Sequence, residues 1–117
     1  MSARTERDLR QGHRYPVPGH PQVFDELAGQ VLGRALDLSG GGLKLLVAEP
    51  LVAETLYQVR FALPMSDGRS EAIVAGLQVI DPRSDDDGLH YAGTRFIHME
   101  GACARHVVHW LAMQAAR

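Results

Sequence analysis

The sequence predicts a mainly β domain, a small antiparallel barrel closed by one C-terminal helix. Three observations predict it. Short stretches of alternating apolar and polar residues recur at near-regular spacing. Breaks rich in glycine, proline and aspartate separate them. Only residues 102–116 carry helical periodicity. Strands of this kind with one amphipathic helix bury their apolar faces most simply as a closed barrel with a helical cap. At 117 residues the chain has the size of one domain and leaves no room for a second. With 45% hydrophobic and 22% charged residues it reads as globular.

Taken in order, residues 1–14 are polar, without helical or strand periodicity, and hold Arg4, Arg7, Arg10 and Arg14 against Glu6 and Asp8. They read as a flexible arm, and residues 15–117 as the barrel domain. Tyr15-Pro16-Val17-Pro18-Gly19-His20-Pro21 excludes helix and suits an edge strand or a stiff connector. Residues 24–29 read as a turn leading into a strand over 30–39. There Leu36 and Leu38 should face the core, with Ala35, Asp37 and Ser39 on the open face. Gly40-Gly41-Gly42 end that strand with positions open to positive φ and to close approach by a ligand.

Leu43, Leu45 and Val47 then alternate with Lys44 and Leu46 in a second strand, broken by Glu49-Pro50-Leu51. Residues 56–63 place Tyr57, Val59, Phe61 and Leu63 on one face, with Gln58 and Arg60 on the other. Asp67-Gly68 marks a tight turn. Residues 71–80 form a more buried strand, 81–88 a polar hairpin loop and 89–98 the last strand. The spacing of Tyr91, Gly93 and Phe96 departs from period two and implies a bulge. In the helix, Cys103, Val107, Trp110, Leu111 and Gln114 make a stripe with one polar lapse.

Several function classes recede at this point. A net charge of −2 gives no general attraction to nucleic acid or anionic membrane. A nucleic-acid-binding barrel would need exposed aromatics among basic residues, whereas the seven Phe, Trp and Tyr residues mostly occupy apolar positions. Cys103 is the single cysteine, which precludes an internal disulfide and points to a reducing compartment. No leader-like segment opens the chain, and no run nears the roughly 18 apolar residues of a membrane span, so a cytoplasmic protein without membrane insertion is expected. Gly40-Gly41-Gly42-Leu43-Lys44 lacks the spacing and the Ser or Thr of a phosphate loop. His106 and His109 have no convincing third metal ligand. With no nucleophile–base pair, the chain does not read as an enzyme, and neither catalytic residues nor a cofactor are assigned.

Two motifs remain. Arg10-Gln11-Gly12-His13-Arg14 fits Arg-x-x-x-Arg, a spacing that sets both guanidiniums on one side of extended or helical backbone. By itself it describes a solvated tail. Asp37-Leu38-Ser39-Gly40-Gly41-Gly42 fits Asp-x-Ser-x-x-Gly, by itself an ordinary strand end. Their chemistries are complementary. Guanidinium forks bind phosphate and the O6/N7 edge of guanine, and a carboxylate accepts from the N–H groups on guanine's other edge. A ligand carrying both guanine and phosphate would use every part.

With these motifs in this order, the chain resembles the PilZ family, bacterial receptor domains for cyclic di-GMP. The resemblance spans nearly the whole chain and includes Gly42-Leu43 opening the next strand and Tyr91-x-Gly93-x-x-Phe96 before the helix. It implies a six-stranded antiparallel barrel with a C-terminal helix. It also implies that Arg10 and Arg14 clasp guanine and phosphate, while Asp37, Ser39 and Gly42 hold a guanine on the outer surface. Gly12 within the arginine motif and the proline-rich stretch depart modestly from the family pattern. The implied function is a single-domain cyclic di-GMP effector or adaptor in second-messenger signalling. Its arm would close over the nucleotide, with output through a separate protein partner or a homo-oligomer. The alternative is a protein-interaction module of the same fold that binds no nucleotide.

Overall fold

Where leucine, valine and phenylalanine alternate with polar residues, one face of each strand must leave water, and a sheet that closes on itself hides all those faces together. The computed structural model, which describes residues 13–117, has this arrangement. Its strands are β1 (Tyr15–Pro16), β2 (Gln22–Asp25), β3 (Gln30–Leu38), β4 (Leu43–Val47), β5 (Leu56–Pro64), β6 (Ser70–Ser84) and β7 (His90–Met99), followed by helix α1 (Gly101–Ala115). All strand pairs are antiparallel. The order β3-β2-β5-β6-β7-β4 returns to β3 through the β3–β4 pairing, which closes a six-stranded barrel. β1 and β2 pair with different parts of the same side of β3, so β1 continues the β2 rung after the turn at residues 17–20. The proline-rich stretch is thus a short strand and a turn.

Val23, Ala35, Leu38, Leu43, Leu45, Val59, Phe61, Leu63, Ile73, Leu77 and Val79 fill the interior. Helix α1 lies against β6 and buries Val107, Trp110 and Leu111. No side chain caps its N-terminus and its first turn holds no acid. Its stability therefore rests on packing, at about 1.5–3 kcal/mol for each large side chain buried. Cys103 is half-buried at the edge of this contact. Among the described residues no helix is long and apolar enough to cross a membrane. No group of three His, Cys, Asp or Glu among them could hold a metal ion. His106 Nε2 lies 3.5 Å from the Glu71 carboxylate.

Five expectations need correction. Phe24 and Asp25 belong to β2 and not to a turn. β6 does not stop at Ile80 but runs through Pro82 to Ser84, with Pro82 opposite Ala92. The hairpin loop shrinks accordingly. The register of β6 against β7 shifts twice, leaving Ile80 unpaired on β6 and Ile97 unpaired on β7. On β7 the residues from His90 to Phe96, whose spacing implied a bulge, are paired without a skipped residue; the β7 bulge falls at Ile97 instead, and that at Ile80 of β6 went unforeseen.

The fourth correction concerns β3. Its register against β4 shifts between Ala35 and Asp37, which makes Leu36 the extra residue. One extra residue reverses the face alternation. Ala35 and Leu38 are buried, Leu36 is only partly so, and Asp37 faces out. Ser39 is 6% exposed and does not stand on an open face. The fifth concerns the three glycines, none of which has positive φ.

Candidate functional site

The site is best followed along one ladder of residues. Pro16 of β1 stands opposite Asp37 of β3, Asp37 opposite Lys44 of β4, Lys44 opposite Gly93 of β7, and Gly93 opposite Asp81 of β6. Five strands thus present a single row on the outer wall. Its charges run carboxylate, ammonium, gap, carboxylate. The gap is Gly93, whose missing side chain leaves a depression between Lys44 and Asp81.

Two adjoining hollows fill that region. One of about 170 Å³ is lined by Arg14, Lys44, Asp81, Arg83, Tyr91 and Gly93. The other, of about 270 Å³, is bounded by Arg14, Ser39, Gly41, Gly42, Ile80, Asp81, Gly93, Thr94 and Arg95. Arg14, Asp81 and Gly93 belong to both. Two larger hollows, of about 360 and 450 Å³, meet at Val31 and Ala48 and contain none of the residues singled out from the sequence. Chemistry, not volume, selects the site.

Arg14 reaches it through backbone pairing. Tyr15 is opposite Leu38 and Pro16 opposite Asp37, so the next rung outward sets Arg14 beside Ser39. The chain between them spans more than twenty residues, yet the antiparallel ladder makes them neighbours.

The turn from Ser39 to Gly42 holds its shape by internal and tertiary bonds. The amides of Gly41 and Gly42 each donate to Ser39 Oγ at 3.2 Å, and the Ser39 amide donates to the Gly42 carbonyl at 3.0 Å. Phe96 on β7 donates its amide to the Gly41 carbonyl at 2.8 Å. Thr94 Oγ1 donates to the Leu43 carbonyl at 2.9 Å and receives the Leu43 amide at 3.3 Å. A Cβ on Gly42 would collide with the Thr94 carbonyl oxygen. Glycine stands at 42 because backbone crosses backbone there, not because of its dihedral angles.

Charge around the hollows is mixed and mostly engaged. Arg83 Nε donates to Asp81 Oδ2 at 2.9 Å, and Arg95 Nε donates to Gln78 Oε1 at 2.8 Å. The Lys44 ammonium lies 5.4 Å from the centre of the Tyr91 ring, within cation–π range. These pairs are exposed and individually weak, so an anionic ligand could exchange them at small cost.

Of the residues expected from sequence, the structure brings Arg14, Ser39 and Gly42 around one hollow. Asp37 lines neither hollow and stands opposite Lys44 on the neighbouring strand. Arg10 lies outside the described residues. Tyr91 and Gly93 were named only as part of the resemblance, without a role, and Lys44, Ile80, Asp81, Arg83, Thr94 and Arg95 were not expected at the site. For Lys44 and Arg95 the only available signal was a basic residue next to Leu43 or Phe96 of the motifs. For Ile80 there was none.

Comparisons with known proteins agree with this architecture. No curated protein matches the chain in sequence. Among solved structures, the Bacillus subtilis inhibitor of motility (MotI/DgrA) superposes with a TM-score of 0.68 at 10% identity, over 82% of this chain and 46% of that one. This chain therefore spans about half the length of that protein. The PilZ domain of Escherichia coli YcgR, solved with c-di-GMP, gives a TM-score of 0.60 at 17% identity, over 89% of this chain and 90% of the other. At such identities the likeness speaks for the fold alone. The family model for the PilZ domain matches residues 8–113. With nearly the whole sequence inside that match and the barrel closed as described, the chain belongs to the PilZ domain family.

Proposed function

We propose that this PilZ domain is a receptor for cyclic di-GMP, a binding and relay module and not an enzyme. One observation carries the reading. The β1–β3 pairing sets Arg14, the last residue of the arginine motif, beside Ser39 and Gly42, so the two motifs meet at one hollow. The YcgR domain of the same fold was solved with c-di-GMP, which supports this ligand.

In this reading the Arg14 guanidinium takes phosphate or the O6/N7 edge of guanine, and Arg10 joins it as residues 1–14 close over the ligand. Asp37 accepts from the other guanine edge. Ser39 and Gly42 shape the turn against which the base rests. Micromolar affinity requires about 8 kcal/mol net. Two arginines at about 1.5–3 kcal/mol each, with the contacts to Asp37 and the turn, reach that after the cost of ordering the arm. The altered surface is then presented to a separate protein partner in the bacterial cytoplasm. The motility inhibitor among the fold neighbours supports a signalling output of this type.

Isothermal calorimetry with cyclic di-GMP at tens of micromolar protein tests the proposal. Heat with saturation is expected, and Arg14→Ala and Asp37→Ala should each weaken binding at least about tenfold without unfolding the domain. A folded wild-type protein that gives no heat returns the interaction module without nucleotide as the better account. Binding that neither substitution disturbs removes the site assignment.

A further inference from the structure

Ile80 is an exposed isoleucine, and single exposed apolar residues are ordinary. Two observations set this one apart. It is the extra residue of a β-bulge, between Val79, paired with Thr94, and Asp81, paired with Gly93. Inserting it puts Ile80 and Asp81 side by side on the outer surface, where strict alternation would turn one of them inward. It also borders the hollow of about 270 Å³, whose lining includes Arg14, Ser39, Gly41 and Gly42, and it is 47% exposed. The remaining side chains of that hollow are Arg14, Ser39, Asp81, Thr94 and Arg95, all polar.

Ile97 makes the contrast. It too is the extra residue of a bulge and is 45% exposed. Its branch, however, lies over Gly76, where an added Cβ would come within 3.1 Å of it. Ile97 has packing to do within the sheet, and it lines neither hollow at the site. Ile80 instead lines the hollow shared with Arg14, Ser39 and Gly42.

Resting on the receptor reading above, we infer that Ile80 is the apolar platform against which one guanine of the ligand lays its face. A purine offers hydrogen-bonding edges and an apolar face. The arginines, Asp37 and the turn serve the edges and the phosphates. Ile80 is the one wholly hydrocarbon side chain lining that hollow among the described residues. A β-branched side chain suits the task because few rotamers are lost when a flat ring covers it. The bulge thereby decides that the site prefers a stacked base over a bare phosphodiester.

The test pairs calorimetry with methyl NMR on the full chain, using cyclic di-GMP as the probe. Ile80→Ala should weaken binding about five- to tenfold with the melting temperature unchanged, since it removes a contact formed mostly with the ligand. Ile97→Ala should bind within about twofold of wild type. In the wild type, the Ile80 δ-methyl proton resonance should move upfield on saturation by the ring current of the stacked base, a shift that a purely structural residue would not show. Wild-type binding that Ile80→Ala leaves within about twofold, or an unmoved Ile80 methyl, overturns the platform while sparing the receptor. An equal loss in Ile97→Ala also overturns it. A wild-type protein that gives no heat overturns the receptor reading and the platform with it.

Discussion

Two turns of this barrel look alike in sequence and are built differently. The β5–β6 hairpin turns through Asp67-Gly68, and the β3–β4 connection turns through Ser39 to Gly42. In the first, every bond falls within five residues. Met65 donates its amide to the Arg69 carbonyl at 2.7 Å, Gly68 to Met65 at 3.2 Å, and Arg69 to the Asp67 carboxylate at 3.0 Å. Gly68 takes φ of 83°, with open space where a Cβ would stand. In the second turn, Ser39 supplies the local bonds, but Phe96 and Thr94 of β7 complete the frame. The first glycine answers to a dihedral angle and the second to a strand more than fifty residues away. A turn that needs its neighbours can be tuned, or moved, by whatever binds beside them, and the candidate site adjoins that one.

Alanine at the two glycines should separate these origins most sharply. Gly42→Ala forces the Thr94 carbonyl to move and should cost about 3 kcal/mol or more in urea unfolding. Gly68→Ala suffers only the left-handed backbone penalty, about 1 kcal/mol. Equal losses would erase the distinction. Ser39→Ala should fall between them, at about 2 kcal/mol, because it leaves two turn amides without their acceptor. It should also weaken cyclic di-GMP binding, whereas Gly68→Ala should not. The smallest effect belongs to Asp67. The Arg69 backbone amide, aided by the Arg69 charge, holds this carboxyl below its ordinary value of 3.8. Because the folded group is the stronger acid, its contribution is present above the unfolded value and is lost as pH falls through the lowered folded one. Thermal melts of wild type and Asp67→Asn should therefore differ slightly at neutral pH and converge in acid, once the pH has fallen through the lowered folded value.

The same contrast explains what could be read from residues alone. Leu43, Leu45 and Val47 alternate in β4, and Val59, Phe61 and Leu63 in β5, as their sequence requires, because each strand stays in register along that stretch. The helical stripe through Val107, Trp110 and Leu111 is equally local. Ala35 and Leu36 were misplaced because the bulge between Ala35 and Asp37 belongs to a pair of strands and not to either one, whereas Ser39 is buried by the turn that folds the Gly41 and Gly42 amides onto its hydroxyl. Pro82 seemed to end its strand. It is tolerated close to the Ile80 bulge, where the ladder is already interrupted.

For the site, Arg14, Asp37, Ser39 and Gly42 could be named from spacing and the family resemblance, since motif residues lie close together in the chain. Lys44 and Asp81 could not, and Gly93, named in the resemblance, could not be placed beside them, because their adjacency is created by registry across β4, β7 and β6. Sequence was sufficient for which side chains of β4 and β5 prefer the core, for the C-terminal helix and for the two motifs, all consequences of local alternation and composition. Tertiary structure alone decided which face Ala35 and Leu36 adopt, that Gly42 is needed for a crossing of backbones, and that Arg14 borders a hollow with Ile80. Each of those depends on a one-residue insertion or a cross-strand pairing, and no single stretch of chain encodes either.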